Sequence, residues 1–169
     1  MKKGLLVILL LVCLNLAVVI EAKNDKKTNI KNIANSKVKN DNVSVDWLVG
    51  ADGYTKAVEQ HRNTGKPIAL YFYTDWCGYC RRFSSSLLTT TEVQDYMKNV
   101  IKIKINPEAG QKERAISNQY GVMGYPTFLI VSNKLSQIER VHPFYRRNGV
   151  AFTMKPAEFI LACKEASKK

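Results

Sequence analysis

The stretch Ile68-Ala69-Leu70-Tyr71-Phe72-Tyr73-Thr74-Asp75-Trp76-Cys77-Gly78-Tyr79-Cys80 decides how the chain is read. Its first six residues form an uninterrupted apolar and aromatic run, the pattern of a strand buried on both faces. A helix is expected to begin around Cys77 and to run through Arg81, Phe83 and Leu87. Two cysteines three positions apart at a helix start lie on the same side of its first turn, close enough to join as a disulfide. Cys77 stands where unpaired N–H groups and the helix dipole favour an anion, so its thiol pKa should fall. The thiolate is the species that attacks disulfides. Cys80, one turn further in, should be less exposed and act as the resolving thiol.

Outward from this unit, Ala57, Val58 and His61 predict a helix over 54–63, closed by Gly65 and Pro67. A short helix is expected around Glu92 to Lys98. Val100 to Ile105 alternates apolar and basic residues, which predicts a strand with one exposed face. Lys112 to Tyr120 reads as helical and Thr127 to Val131 as an apolar strand, with Gln137 to Val141 paired to it antiparallel. Pro156 sits where a first-turn proline belongs, opening a last helix with Phe159, Ile160 and Cys163 on its apolar side. The order of elements predicts an α/β fold, a central mixed β-sheet flanked by helices. No internal repeat is visible.

With 169 residues, 46% of them hydrophobic and 24% charged, the chain fits one globular domain plus an appendage. Lys2 and Lys3 precede an apolar run from Leu5 to Ile20, and Ala22 ends a small-residue site before the chain turns polar. Residues 1–22 thus have the layout of a secretory signal peptide. The run is near the lower length limit for a bilayer span, so an uncleaved membrane anchor is the alternative. Cys13 follows Val12 rather than a small residue and is read as a passive member of the run. Residues 23–42, with six Lys and six Asn, cannot bury enough surface to offset their ordering entropy and are expected to be a flexible linker. The domain is placed at 43–169.

Lys and Arg number 26 against 14 Asp and Glu, a net charge of +12, which hints at an acidic partner or surface. Nucleic acid is not expected, since no aromatics interleave with the lysines of the linker and the chain carries an export signal. Four cysteines are too few for a disulfide-stapled scaffold. Export implies a compartment where disulfides form, such as a bacterial periplasm. A redox pair is the first reading of Cys77 and Cys80. Half of a zinc site is a second, although only Cys163, His61, His142 and carboxylates remain as further ligands. An inert structural disulfide is a third.

The run from Ala69 to Cys80, together with Tyr120-Gly121-Val122-Met123-Gly124-Tyr125-Pro126-Thr127 downstream, resembles the thioredoxin-like superfamily across roughly residues 45–166. The Cys-x-x-Cys motif, Asn106-Pro107-Glu108 and the last helix are most similar to the C-terminal periplasmic domain of transmembrane disulfide reductases. The resemblance implies a thioredoxin-like fold, Cys77 and Cys80 as catalytic residues, and a cis Pro126 lying against them. It implies substrate contacts by Trp76, Gly78, Tyr79, Tyr125 and Pro126. It also implies no cofactor and no metal, disulfide-containing exported proteins as substrates, a membrane-embedded reductase as electron donor, and a monomer.

Two departures stand out. The family's buried acid six residues before the first Cys is Tyr71 here, and the reductase domain's second acid corresponds to Ser84. Asp75 is expected at the surface. Gly78-Tyr79 resembles the pair in a periplasmic disulfide isomerase, so isomerase and oxidase remain open beside reductase. A metal-carrying module, with Cu(I) on soft thiolates, is the alternative of another class. Arg81 and Arg82 would stabilise a thiolate if aimed at it, and are otherwise solvated cations. His142 to Met154 reads as an inserted aromatic and basic loop, a partner contact or a cap on the last helix. Cys163 is read as a buried small hydrophobe, Trp47 as core, Trp76 as a flank of the Cys pair and His142 as a surface residue.

Overall fold

A computed structural model describes residues 47–132 and 137–168. The expected signal peptide, the linker and the first four residues of the 43–169 domain lie outside the described residues. The described chain runs β1 (Leu48–Val49), α1 (Gly50–Thr64), β2 (Ile68–Phe72), α2 (Gly78–Phe83) and α3 (Thr91–Met97). It continues through β3 (Ile101–Ile105), α4 (Gln111–Gln119), β4 (Thr127–Val131), β5 (Ile138–Arg140), β6 (Phe144–Arg147), β7 (Val150–Thr153) and α5 (Pro156–Lys168). Strands β1 to β5 form one mixed sheet in the order β1-β3-β2-β4-β5, parallel from β1 to β2 and antiparallel beyond.

β2 and β4 are the central strands, which explains their unbroken apolar runs. Side chains alternate across a strand, so a strand covered on both faces has no polar position to show. Ala69, Tyr71, Phe128 and Ile130 enter one core cluster with Cys77, Cys80, Phe83, Phe159 and Cys163. Ile68, Leu70, Phe72, Leu129 and Val131 enter the other, with Ala57 of α1. The first cluster carries the cysteine pair. Phe83, Phe128 and Phe159 meet at ring-centroid distances of 5.3–5.6 Å within it.

Three elements differ from expectation. β3 does not have an exposed face, for the sheet is covered on the side that Lys102 and Lys104 point to: Lys102 is only 4% exposed and Lys104 is half-buried. α1 begins four residues early because its start is capped from afar: the Ala51 N–H donates to Glu113 Oε1 of α4 at 2.9 Å. The expected loop over 142–154 contains an antiparallel hairpin, β6 paired with β7. Its turn is Asn148-Gly149, both at positive φ, the chemistry that a two-residue hairpin turn requires.

α2 passes directly into a wider, π-type turn over Ser84–Leu88. Such a turn disturbs the i to i−4 ladder, and hydroxyls serve the carbonyls around it: Ser86 Oγ donates to Arg82 O at 2.6 Å and Thr89 Oγ1 to Ser85 O at 2.7 Å. Leu87 and Leu88 are thereby both turned into the core. Among the described residues no helix is long and apolar enough to cross a membrane.

Candidate active site

β2 ends at Phe72, and the chain turns through Thr74-Asp75-Trp76 to reach Cys77. The Cys77 N–H donates to Thr74 O at 3.2 Å, which fixes this turn. Cys77 is the N-cap of α2 in extended backbone, and its Sγ accepts the Cys80 N–H at 3.0 Å. The first-turn N–H groups of a helix lack backbone partners, so a sulfur in this position takes one of them. Cys77 and Cys80 are joined as a disulfide, with Cα atoms 5.2 Å apart. The two residues are 4% and 3% exposed. Reduction would leave Cys77 Sγ facing an N–H donor at the positive end of the helix, where a thiolate is favoured.

The rim is aromatic. Trp76 is exposed, its indole N–H donates to both carboxylate oxygens of Glu108 at 3.0 Å, and its ring meets that of Tyr125 at 6.2 Å. The Tyr125–Pro126 peptide bond is cis. Gly78 and Tyr79 occupy the first turn of α2, and Tyr79 meets Phe144 of β6 edge-on at 5.4 Å. The structure thus joins Trp76 to Tyr125, next to the cis Pro126, and sets Tyr79 against the β6–β7 hairpin.

Asp75 is at the surface, as expected. Its Oδ2 accepts from Asn106 Nδ2 at 3.2 Å and its carbonyl from Arg81 Nη1 at 3.0 Å. Asn106 Oδ1 in turn accepts the Glu108 N–H at 3.0 Å. The exit of β3 is therefore laced to the turn carrying Trp76. Glu108 was not expected to hold Trp76, and a contact spanning 32 residues leaves no local signal. The arginines after the motif face other acceptors. Arg82 donates to Ala151 O at 3.1 Å and lies 5.6 Å over the Phe144 ring.

Tyr71 and Ser84, which stand where the resemblance places acids, meet each other. Tyr71 Oη donates to Cys80 O at 3.2 Å and lies 3.4 Å from Ser84 Oγ. Burial, the largest influence, pushes the Tyr71 phenol above its usual range, against the hydrogen bond from Ser84, which lowers it. A cleft of about 490 Å³ runs past Tyr71, Thr74, Asp75, Cys80 and Ser84. Thr74 Oγ1, buried in its wall, has no hydrogen-bond partner among the described residues.

The remaining candidates are dispersed. Cys163 is buried on α5, and burial pushes its thiol up to about 12. His61 is buried with Nδ1 2.7 Å from the Lys66 carbonyl at the far end of α1, and His142 is exposed. Trp47 is partly buried and packs edge-on to Tyr71 at 6.0 Å. Among the described residues no group of three or more His, Cys, Asp or Glu side chains is placed to hold a metal ion.

Comparison with known proteins agrees with this geometry. The chain is 31% identical over 75 residues to protein disulfide-isomerase erp38 of Neurospora crassa, covering 44% of this chain and 20% of that one. It is 29% identical over 75 residues to thiol:disulfide interchange protein DsbD of Yersinia pestis, covering 44% and 13%. It spans a fifth or less of the length of these two relatives. Against disulfide bond reductase DsbH of Chlamydia pneumoniae it is 25% identical over 114 residues, covering 62% of this chain and 68% of that one. The oxidised C-terminal domain of Neisseria meningitidis DsbD superposes with a TM-score of 0.55 at 21% identity, covering 72% and 99%. With its sheet order, its cysteine pair at the start of α2 and the match of residues 47–132 to the family model, the chain belongs to the thioredoxin-like family.

Proposed function

We propose that the chain is an exported thiol–disulfide oxidoreductase that reduces disulfides in exported proteins. In this reading the Cys77 thiolate attacks a client disulfide, and the departing client sulfur takes a proton from water. Cys80 then gives up its proton to water, and its thiolate attacks Cys77 Sγ. The second client thiol is released and the Cys77–Cys80 disulfide forms, so the client gains the two electrons that the pair loses. Trp76, Gly78, Tyr79, Tyr125 and Pro126 form the surface on which the client lies. A membrane-embedded reductase returns the electrons, residues 1–22 direct export to the periplasm, and residues 23–42 link the signal to the domain.

The observation that carries the reading is the placement of Cys77 Sγ at the start of α2, accepting the Cys80 N–H beside an aromatic rim. The direction of transfer is supported by the likeness to the relative named disulfide bond reductase, of which the chain covers 68%. Equilibration of the pure protein against dithiothreitol or glutathione tests it. A potential near that of thioredoxin, about −270 mV, supports reduction, and one near about −120 mV makes the chain an oxidant.

A further inference from the structure

The β6–β7 hairpin is not accounted for by disulfide exchange, and it touches Tyr79, which lies between the two cysteines. Its side chains alternate. Phe144 turns inward, onto Tyr79 and onto Phe83 at 6.5 Å. Tyr145 and Phe152 turn outward, stacked on each other at 5.7 Å and 20°, and are 49% and 40% exposed. Val150, 56% exposed, continues this outer face. A two-stranded ribbon is marginal by itself. This one is held by Arg82, through its bond to Ala151 O and its position over Phe144. An anchored element that keeps stacked aromatic rings in solvent has the composition of a contact surface, where Tyr, Phe and Arg concentrate.

Its charge is one-sided. Between Glu139 and Glu158 the sequence carries Arg140, Arg146, Arg147 and Lys155 and no carboxylate; Arg147 lies on the outer face with Tyr145, while Arg146 lies on the inner side and donates to Gly149 O at 3.3 Å. Between Asp75 and Glu92 the only charged residues are Arg81 and Arg82. Both elements that meet at Phe144 therefore offer cations alone. We infer that the outer face of the β6–β7 hairpin docks a disulfide-bearing polypeptide segment that combines acidic with apolar side chains. This inference rests on the oxidoreductase reading and adds the class of client to it. The tie through Tyr79, a residue between the two cysteines, favours a protein client over an anionic lipid surface, because a segment lying on the hairpin is within reach of the cysteine pair.

The test is a single-turnover reaction of the reduced full chain with three disulfides: a cystine peptide flanked by Glu and Phe, the same peptide with Lys for Glu, and bis(2-hydroxyethyl) disulfide. Acid quenching and alkylation count the Cys77–Cys80 disulfide formed. At low salt the acidic peptide should react faster than the basic one by about tenfold, and the advantage should fade as salt screens it. The double variant Arg147→Glu, Val150→Ser, both on the outer face with Tyr145 and Phe152, should remove that preference while its rate with bis(2-hydroxyethyl) disulfide stays at wild type, which also reports that it is folded. Equal rates for the two peptides, with the small disulfide still turned over, overturn the docking inference alone. No turnover of any disulfide overturns the oxidoreductase reading, and this inference with it. A preference that survives the double variant overturns the assignment to the hairpin. Vesicles of phosphatidylglycerol form a further arm: loss of vesicle binding in the double variant, with peptide rates unchanged, assigns the surface to lipid and refutes the protein client.

Discussion

Replacing Tyr71 with Phe removes one oxygen and leaves a ring at the centre of the first core cluster. That ring meets Tyr73 at 5.6 Å, Phe83 at 5.3 Å, Trp47 at 6.0 Å and Phe128 at 6.4 Å. The lost hydroxyl donates to Cys80 O at 3.2 Å and lies 3.4 Å from Ser84 Oγ, the second contact being at the edge of hydrogen-bond range. Neither partner is stranded by the change. Cys80 O still accepts the Ser84 N–H, and Ser84 lines the open cleft. The cost should be that of one ordinary hydrogen bond, about 1 kcal/mol. Tyr71→Ala, which empties the cluster, should cost about 3–5 kcal/mol.

Urea and thermal unfolding of the oxidised protein measure both, and for a domain of this size the milder variant should lower Tm by roughly 3–6 °C. The pH dependence adds a second check. Burial raises the folded-state pKa of the Tyr71 phenol above its unfolded value. The stability it contributes is therefore fully present below about pH 10 and drains away as pH rises through the folded value. Tyr71→Phe has no such group, so the gap between wild type and variant should narrow above about pH 10. Tyr96 and Tyr120 are shifted in the same direction and remain in both proteins, so they cancel in the difference, whereas Tyr73 is one of the groups that raise Tyr71 and interacts with the phenol removed. A Phe variant as unstable as the Ala variant, or a gap that widens with alkali, would refute the account of how this ring holds the site.

Three further outcomes are expected. Cys80→Ala should accumulate a mixed disulfide between Cys77 and a client, seen as a mass adduct lost on reduction; a metal carrier would lose bound Cu(I) and form no adduct. In the reduced native protein Cys163 should resist iodoacetamide at pH 8 until the chain is unfolded, since burial holds its thiol at about 12. The sign follows: that thiol's contribution is intact below about pH 8.5 and is lost toward pH 12, so Cys163→Ala should flatten the alkaline limb of the stability curve. Arg82→Met removes the guanidinium that donates to Ala151 O and covers Phe144, and should destabilise the hairpin by about 0.5–1.5 kcal/mol. Trypsin should then cut after Arg146 and Arg147 faster than in wild type, and an unchanged cleavage rate would remove Arg82 as the anchor.

The parts legible in the sequence were those whose cause is local. β2 and β4 announce themselves because burial on both faces leaves no polar interruption, and Cys77 and Cys80 because three residues is less than one helical turn. What stayed hidden depends on partners far along the chain. The start of α1 is capped by Glu113, 62 residues away, and Trp76 is held by Glu108 across the motif. Lys102 looked like the exposed half of an alternating strand because alternation cannot report that the sheet face carrying Lys102 is itself covered. The hairpin is a different case. Asn148-Gly149 between Phe144 to Arg147 and Val150 to Thr153 is a local turn signal, present in the sequence and outweighed there by the aromatic and basic composition of the segment.

Along the sequence Tyr71 and Ser84 are two unrelated departures, 13 residues apart, from the pattern the chain resembles. In space they are one substitution. A carboxylate beneath Cys80 would be a buried charge needing a partner or a raised pKa, whereas two hydroxyls that touch satisfy each other and stay neutral, Tyr71 the more so because burial raises it. Neither can take the Cys80 proton as a base. In the proposed exchange, the cleft past Thr74 and Asp75, which borders Cys80, offers the proton of the resolving step a path to solvent. Two neutral hydroxyls beside Cys80 and an open cleft along the same residues thus fit one another: in the proposed exchange the proton that neither hydroxyl accepts can pass to water through the cleft.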